Sequence, residues 1–237
     1  MKKLLPLLLA TALSAPALLH GAPFEGKVTF KMTGPRGAPP QMTFSLKPGL
    51  QRIDVATESR NAAIIFNADR QEMTILMTEQ RMFMTQPLPK PPAAAADGAP
   101  GATVEVTTTK EKILGYDCVK YVAQTKDGAS EIWVTDQLGV FLGMGGGGPM
   151  GGGRRGAGGP PAQGWEQGLA GKNVFPLRVV TTAGGKETFR MEVTAIEPQT
   201  LPESTFTPPT DYRNLSEMMR GMGVPGMPPG MRPPGGD

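Results

Sequence analysis

The chain carries a single cysteine, Cys118, inside the stretch ILGYDCVKY at 113–121, and a thiol is the strongest nucleophile that the sequence offers. It becomes reactive only where a base or a cation holds it as thiolate. The one histidine is His20, close to the amino terminus, so Ser-His-Asp and Cys-His arrangements find no imidazole in the body of the chain. The commonest zinc and non-haem iron ligand sets go with it. One cysteine also permits neither an intrachain disulfide nor a thiolate cluster. Lys112 and Lys120 are the nearest cations by sequence, but no base accompanies them. Cys118 is therefore expected to pack as a small hydrophobe in a strand and to be unreactive in the folded protein.

An enzyme built from this chain would have to run on carboxylates, lysine or tyrosine. Asp127 with Glu131, and Glu187 with Glu192, are the pairs a glycosidase could use. A solvated hairpin surface explains them more simply. The glycine runs at 145–148 and 151–153, followed by Arg154 and Arg155, lack the Gly-Lys-Ser/Thr that a phosphate cradle needs. One short arginine pair is also too little for RNA. Methionine offers a softer chemistry: Met218, Met219, Met222, Met227 and Met231 crowd the carboxyl-terminal tail, and Met144 and Met150 punctuate the glycine run. Thioethers suit Cu(I), so a copper-binding or envelope-contact tail is the alternative reading of the function. No catalytic, cofactor-binding or metal residue is assigned, no cofactor is expected, and the protein is read as a non-enzyme.

The amino terminus, MKKLLPLLLATALSAPALLHGA, has a basic start and a short apolar run that ends in small residues. It reads as a signal peptide over residues 1–22, cut between 17 and 23, and predicts a periplasmic or extracellular location. No cysteine near the cut could carry a lipid, and no later stretch is apolar and long enough for a transmembrane segment. Of 24 basic and 21 acidic residues, Lys2 and Lys3 leave with the signal, so 22 basic face 21 acidic. That balance gives no reason to expect nucleic acid or an anionic membrane as partner.

Residues 24–212 hold the periodic pattern of one domain. In FEGKVTFKM at 24–32, Phe24, Val28, Phe30 and Met32 share one face, and KETFRMEVT at 186–194 repeats the alternation with Phe189, Met191 and Val193. Further strands are expected near 41–47, 50–57, 62–68, 71–77, 80–85, 103–109, 116–125, 129–136 and 175–182. The turns NADR at 67–70, TKDG at 125–128 and AGG at 183–185 read as hairpins. Helix is predicted only near 164–171 and 214–220. Pro- and Gly-rich stretches at 87–101 and 143–161, and a Met/Pro/Gly-rich tail at 213–237, are expected to be flexible or disordered. Alternation groups Trp133 with Glu131 and Thr135, which places it at a rim or under the glycine-rich loop, and Trp165 is expected to fix that loop's far end.

So much strand with so little helix predicts a mainly β fold: a single curved antiparallel sheet, a half-barrel or open barrel. FEG at 24–26, KILGYDC at 112–118, EIWVT at 131–135, FPL at 175–177 and FTPPTDY at 206–212 stand in an order and spacing that resembles domain-of-unknown-function family 4412, a family of exported bacterial proteins. The resemblance implies a fold like that of the carriers that handle lipoproteins in the bacterial envelope: half a barrel with a helix or loop across its mouth. The glycine-rich insert falls where such a covering element should sit. The resemblance carries over no catalytic residue. Together these features predict a binding or carrier module whose concave face takes a lipid, a lipoprotein or another apolar ligand, or a partner's hydrophobic segment; the oligomeric state is left open.

Overall fold

A computed structural model describes residues 23–34, 41–56, 61–88, 103–125, 128–144, 164–169 and 171–221. The first half of the chain is a run of hairpins: β1 (Gly26–Thr33), β2 (Gln41–Lys47), β3 (Leu50–Ala56), β4 (Asn61–Asn67), β5 (Glu72–Met77) and β6 (Met82–Pro87). The second half is another: β7 (Thr103–Ile113), β8 (Tyr116–Thr125), β9 (Gly128–Thr135), a short helix α1 (Gly164–Leu169), β10 (Phe175–Ala183) and β11 (Lys186–Pro198). A single 3-10 turn (Glu203–Phe206), a two-residue strand β12 (Arg213–Asn214) and helix α2 (Leu215–Gly221) close the described chain.

All twelve strands join one curved sheet in the order β12-β6-β5-β4-β3-β2-β1-β11-β10-β9-β8-β7. It is open: β7 and β12 lie at opposite edges and do not pair. Every strand contact is antiparallel except that of β12 with β6, which is parallel. The expected mainly β, single-sheet architecture is what the chain forms.

The period-two pattern explains the core. Cross-strand register sets Phe30, Met42, Val55, Ala62, Met77 and Met82 in one row, and Val28, Phe44, Ile53, Ile64, Ile75 and Met84 in the next. Both rows lie on the inner face. Phe44 meets Phe30 edge-on at 5.2 Å between ring centroids and Phe175 at 5.7 Å. The opposite, outer face divides in two. Over β3–β6 it is covered by the 199–212 segment, whose Leu201 and Phe206 pack on Ala63, Ile65 and Leu76. Lys47 holds that segment through Glu203 at 2.6 Å, and Arg52 through the Thr205 carbonyl at 3.1 Å. Over β8–β11 the outer face carries ion pairs instead.

The strands depart from expectation mainly at their ends. β6 starts at Met82 because the preceding turn runs to Arg81, which adopts a left-handed φ of 50°. β7 extends to Ile113, since Lys110–Ile113 pair with Tyr116–Val119 across a tight turn. That turn is Leu114-Gly115, with φ of 47° and 90°. Gly115 thus makes a hairpin turn, not the strand-start bend or bulge that its position suggests. The described chain also runs beyond 212, into the stretch expected as the disordered tail: Arg213–Asn214 form β12, and α2 (Leu215–Gly221) is the helix expected near 214–220. Residues 1–22, 35–40, 57–60, 89–102, 126–127, 145–163, 170 and 222–237 lie outside the described residues, and with them most of the two Pro/Gly-rich stretches, the TKDG turn and the rest of the tail.

Two substitutions test this description. Phe44→Ala should cost about 3–5 kcal/mol in chemical denaturation, because it opens the aromatic cluster. Leu114→Asn should instead stabilise by roughly 0.5–1 kcal/mol, since Leu114 is exposed and held at a φ that asparagine tolerates.

Candidate functional site

The thiol, lysines and glutamates that could do chemistry lie, where described, on the outer face, and each of them is engaged. Cys118 stands opposite Glu111 in the β7/β8 register, only 1% exposed, its thiol 3.5 Å from the Tyr116 carbonyl. Burial, with the Glu111 and Asp117 charges adding to it, pushes the thiol up to about 11, although a backbone hydrogen bond at Ile113 and the Arg178 charge pull the other way. Lys112 pairs with Asp117 at 3.1 Å and Lys120 with Glu131 at 2.6 Å. The expected packed, protonated cysteine follows.

Of the carboxylate pairs, Glu187 and Glu192 are bound to arginine. Glu192 meets Arg178 at 2.9 Å and Arg190 at 3.6 Å, while Glu187 meets Arg190 at 2.7 Å. Arg190 holds the Glu187 carboxyl below its ordinary value, the opposite of what a general acid needs. Asp127 lies outside the described residues. Trp133 does share its face with Glu131, and it sits between two cations, Lys120 Nζ at 5.9 Å and the Arg178 guanidinium at 6.0 Å. Of the methionines named for copper, Met144 is buried in the core and Met218 is half-buried on α2. Met150, Met222, Met227 and Met231, and the side chain of Met219, lie outside the described residues.

The inner face holds what sequence reasoning missed. After β9 the chain turns back over the sheet and drives Leu138, Phe141 and Met144 into the core as an irregular plug. Phe141 packs on Phe44 and Phe175 and stacks on Trp165 of α1, at 5.7 Å and 27°. Trp165 and Leu169 are fully buried. The inner face is therefore covered by residues flanking the glycine insert, with Trp165 buried just beyond it; the insert that Trp165 is expected to anchor lies outside the described residues. One expectation needs correction: the middle of the inner face is not an open cavity, because these side chains fill it.

The plug's main chain is held by side chains. Gln51, 1% exposed among apolar neighbours, accepts a hydrogen bond from the Leu142 N–H at 3.1 Å and donates one to the Gly143 carbonyl at 2.8 Å. The Met144 N–H donates to Glu166 of α1 at 3.2 Å, and the Phe141 N–H to the Val174 carbonyl at 3.0 Å. Gly139 and Gly143 take φ of 86° and 100°, so the bends at both ends of 140–142 need residues without a Cβ. Alternation in QRIDV at 51–55 was the available signal for Gln51, since it puts the amide on the same face as Ile53 and Val55. Among the described residues the Trp165 indole N–H has no acceptor.

Outside the plug, at the end of the sheet where the β2–β3 and β4–β5 turns lie, is a cleft of about 710 Å³. Phe24, Pro48, Val140 and Leu142 supply apolar walls, and Asp136, Gln137 and Asn173 supply polar groups. Val140 is 47% exposed there, an apolar side chain turned outward while its neighbour Phe141 turns in.

An open antiparallel sheet, roofed on its inner face by a segment of its own chain beside an apolar cleft, is the class that these features define. The chain belongs to the domain of unknown function family DUF4412, whose model matches residues 24–212. A search among curated proteins gives no match. Among solved structures, one of PNGF-II is similar at 13% identity and a TM-score of 0.48, covering 84% of this chain and 32% of that one. The chain thus spans about a third of the length of PNGF-II. An uncharacterized conserved protein from Thermus thermophilus is similar at 12% identity and a TM-score of 0.44, covering 81% of this chain and 90% of that one. No described helix is long and apolar enough to cross a membrane.

The state of Cys118 sets two expected outcomes. In the folded protein a thiol reagent at neutral pH should label Cys118 far more slowly than a free thiol; labelling at the free-thiol rate would contradict its burial. Because the folded value is raised from 9.0 to about 11, the thiol's contribution to stability is complete below pH 9 and falls as pH rises toward 11. Denaturation midpoints of wild type and Cys118→Ala, compared from pH 8 to 11, should converge if this is right.

Proposed function

We propose that the protein is an exported, non-catalytic binding or carrier module that takes an apolar ligand or a partner's hydrophobic segment in the cleft beside the plug. The observation that carries the reading is the cleft itself. It has the size of a small-molecule site and mostly apolar walls, with a few polar groups that could orient one end of a ligand. Val140 supports this, because a half-exposed valine in a concave wall gains from being covered. The leader-like residues 1–22 support an envelope or secreted location, and the arginine-bound carboxylates and protonated thiol favour binding over catalysis.

Native mass spectrometry of gently extracted protein should show a bound apolar species. Val140→Asp, which sets a charge into the wall, should reduce its occupancy about tenfold or more without loss of the fold. Bare wild-type protein under every extraction condition would refute the proposal.

A further inference from the structure

We infer that the occupant for which the inner face is built is a polypeptide main chain, and that Leu138–Met144 is a resident copy of it which a partner's hydrophobic segment replaces. The inference rests on reading this region as a binding site and goes beyond the cleft: it places a partner's segment on the inner face itself, in the plug's position.

The argument begins with Gln51. On a row shared with Leu46, Phe66 and Met73, an amide has no place unless both of its polar atoms find partners. The plug supplies both: one N–H, from Leu142, and one C=O, from Gly143. These groups occur in every polypeptide and depend on no side chain. An acyl chain seated in the plug's place would leave the Gln51 amide buried with neither partner, the more costly of the two outcomes. A peptide would satisfy it as the plug does. The pattern is main-chain recognition with side-chain pockets: Gln51 for the backbone, and the space taken by Leu138, Phe141 and Met144 for apolar side chains.

The resident copy also fits imperfectly. It satisfies Gln51 but brings no acceptor to the Trp165 indole N–H, which is fully buried against Phe141. A competing segment that placed a carbonyl there would gain a hydrogen bond that the plug lacks. Because the plug is tethered, its local concentration is high, and a competitor needs such an advantage to displace it.

The test uses the full chain with Trp133→Phe, so that Trp165 alone reports, and with Phe141→Ala to weaken the plug. Leu138→Ala serves in its place if that protein fails to fold. Two synthetic peptides are compared: DQLGVFLGM, the sequence of residues 136–144, and the same peptide methylated on the nitrogen equivalent to Leu142 N–H. Palmitate is the acyl probe. The parent peptide should bind and shift Trp165 emission to the blue, and the methylated peptide should bind about tenfold more weakly. That difference should vanish when Gln51→Leu is added. Equal binding of the two peptides on the Gln51 protein overturns the inference even if Gln51→Leu cannot be made. So does palmitate binding that is unchanged or tighter on Gln51→Leu while the peptides fail. If neither peptide nor palmitate binds, the inference fails. In that case a ligand seen on the wild-type protein by native mass spectrometry leaves the cleft reading standing, and its absence removes both.

Discussion

An unclosed sheet has no second layer to bury its inner face, and in this protein that burial depends on one aromatic contact: Phe141 set among Phe44, Phe175 and Trp165. A closed barrel would exclude water by pairing its first and last strands. Here those edges stay apart, so the chain must fold back and supply its own cover. Each large side chain that it buries contributes about 1.5–3 kcal/mol relative to exposure. The apolar contacts supply most of that stabilisation but do not determine how the cover sits. Gln51 does, by fixing two main-chain groups of the plug to one position on β3.

The outer face meets the same constraint differently in its two halves. Over β3–β6 the Pro-rich 199–212 segment lies across it, held by Lys47 and Arg52. Over β8–β11 arginine and lysine stems cover the apolar sheet, and their charged ends meet carboxylates in partly exposed pairs worth roughly 0–1 kcal/mol each. Cys118 is buried beneath that layer. Its protonated state is thus a consequence of how the outer face is covered.

Much of this was legible in the sequence because the inner face alternates so regularly. FEGKVTFKM and KETFRMEVT each displayed their buried side directly, and the strand assignments hold to within a few residues except where β7 and β11 run on. What stayed hidden was of three kinds. Turn residues at positive φ, such as Gln71 and Arg81, carry no glycine signal. β12 is two residues long, too short for any period, and is defined only by pairing with β6. The plug lies in LGVFLGM, an apolar run without alternation that could equally have been a strand or loop. Gln51 was visible in the pattern as a polar residue on an apolar face, but its partners lie 91 and 92 residues away and no local rule points to them.

The strand order has a further consequence. β1 through β6 pair as consecutive neighbours, and so do β7 through β11; the two meanders meet only where β1 pairs with β11. Gly26 lies opposite Pro198 at that seam. Nearly every strand contact can therefore form soon after its strands are made, while the seam waits for almost the whole chain. Until then β1 has a free flank of backbone amides and carbonyls. A chain made from its amino terminus thus carries an unprotected strand edge for most of its synthesis, and closing that long loop is the slow, error-prone step that the topology imposes.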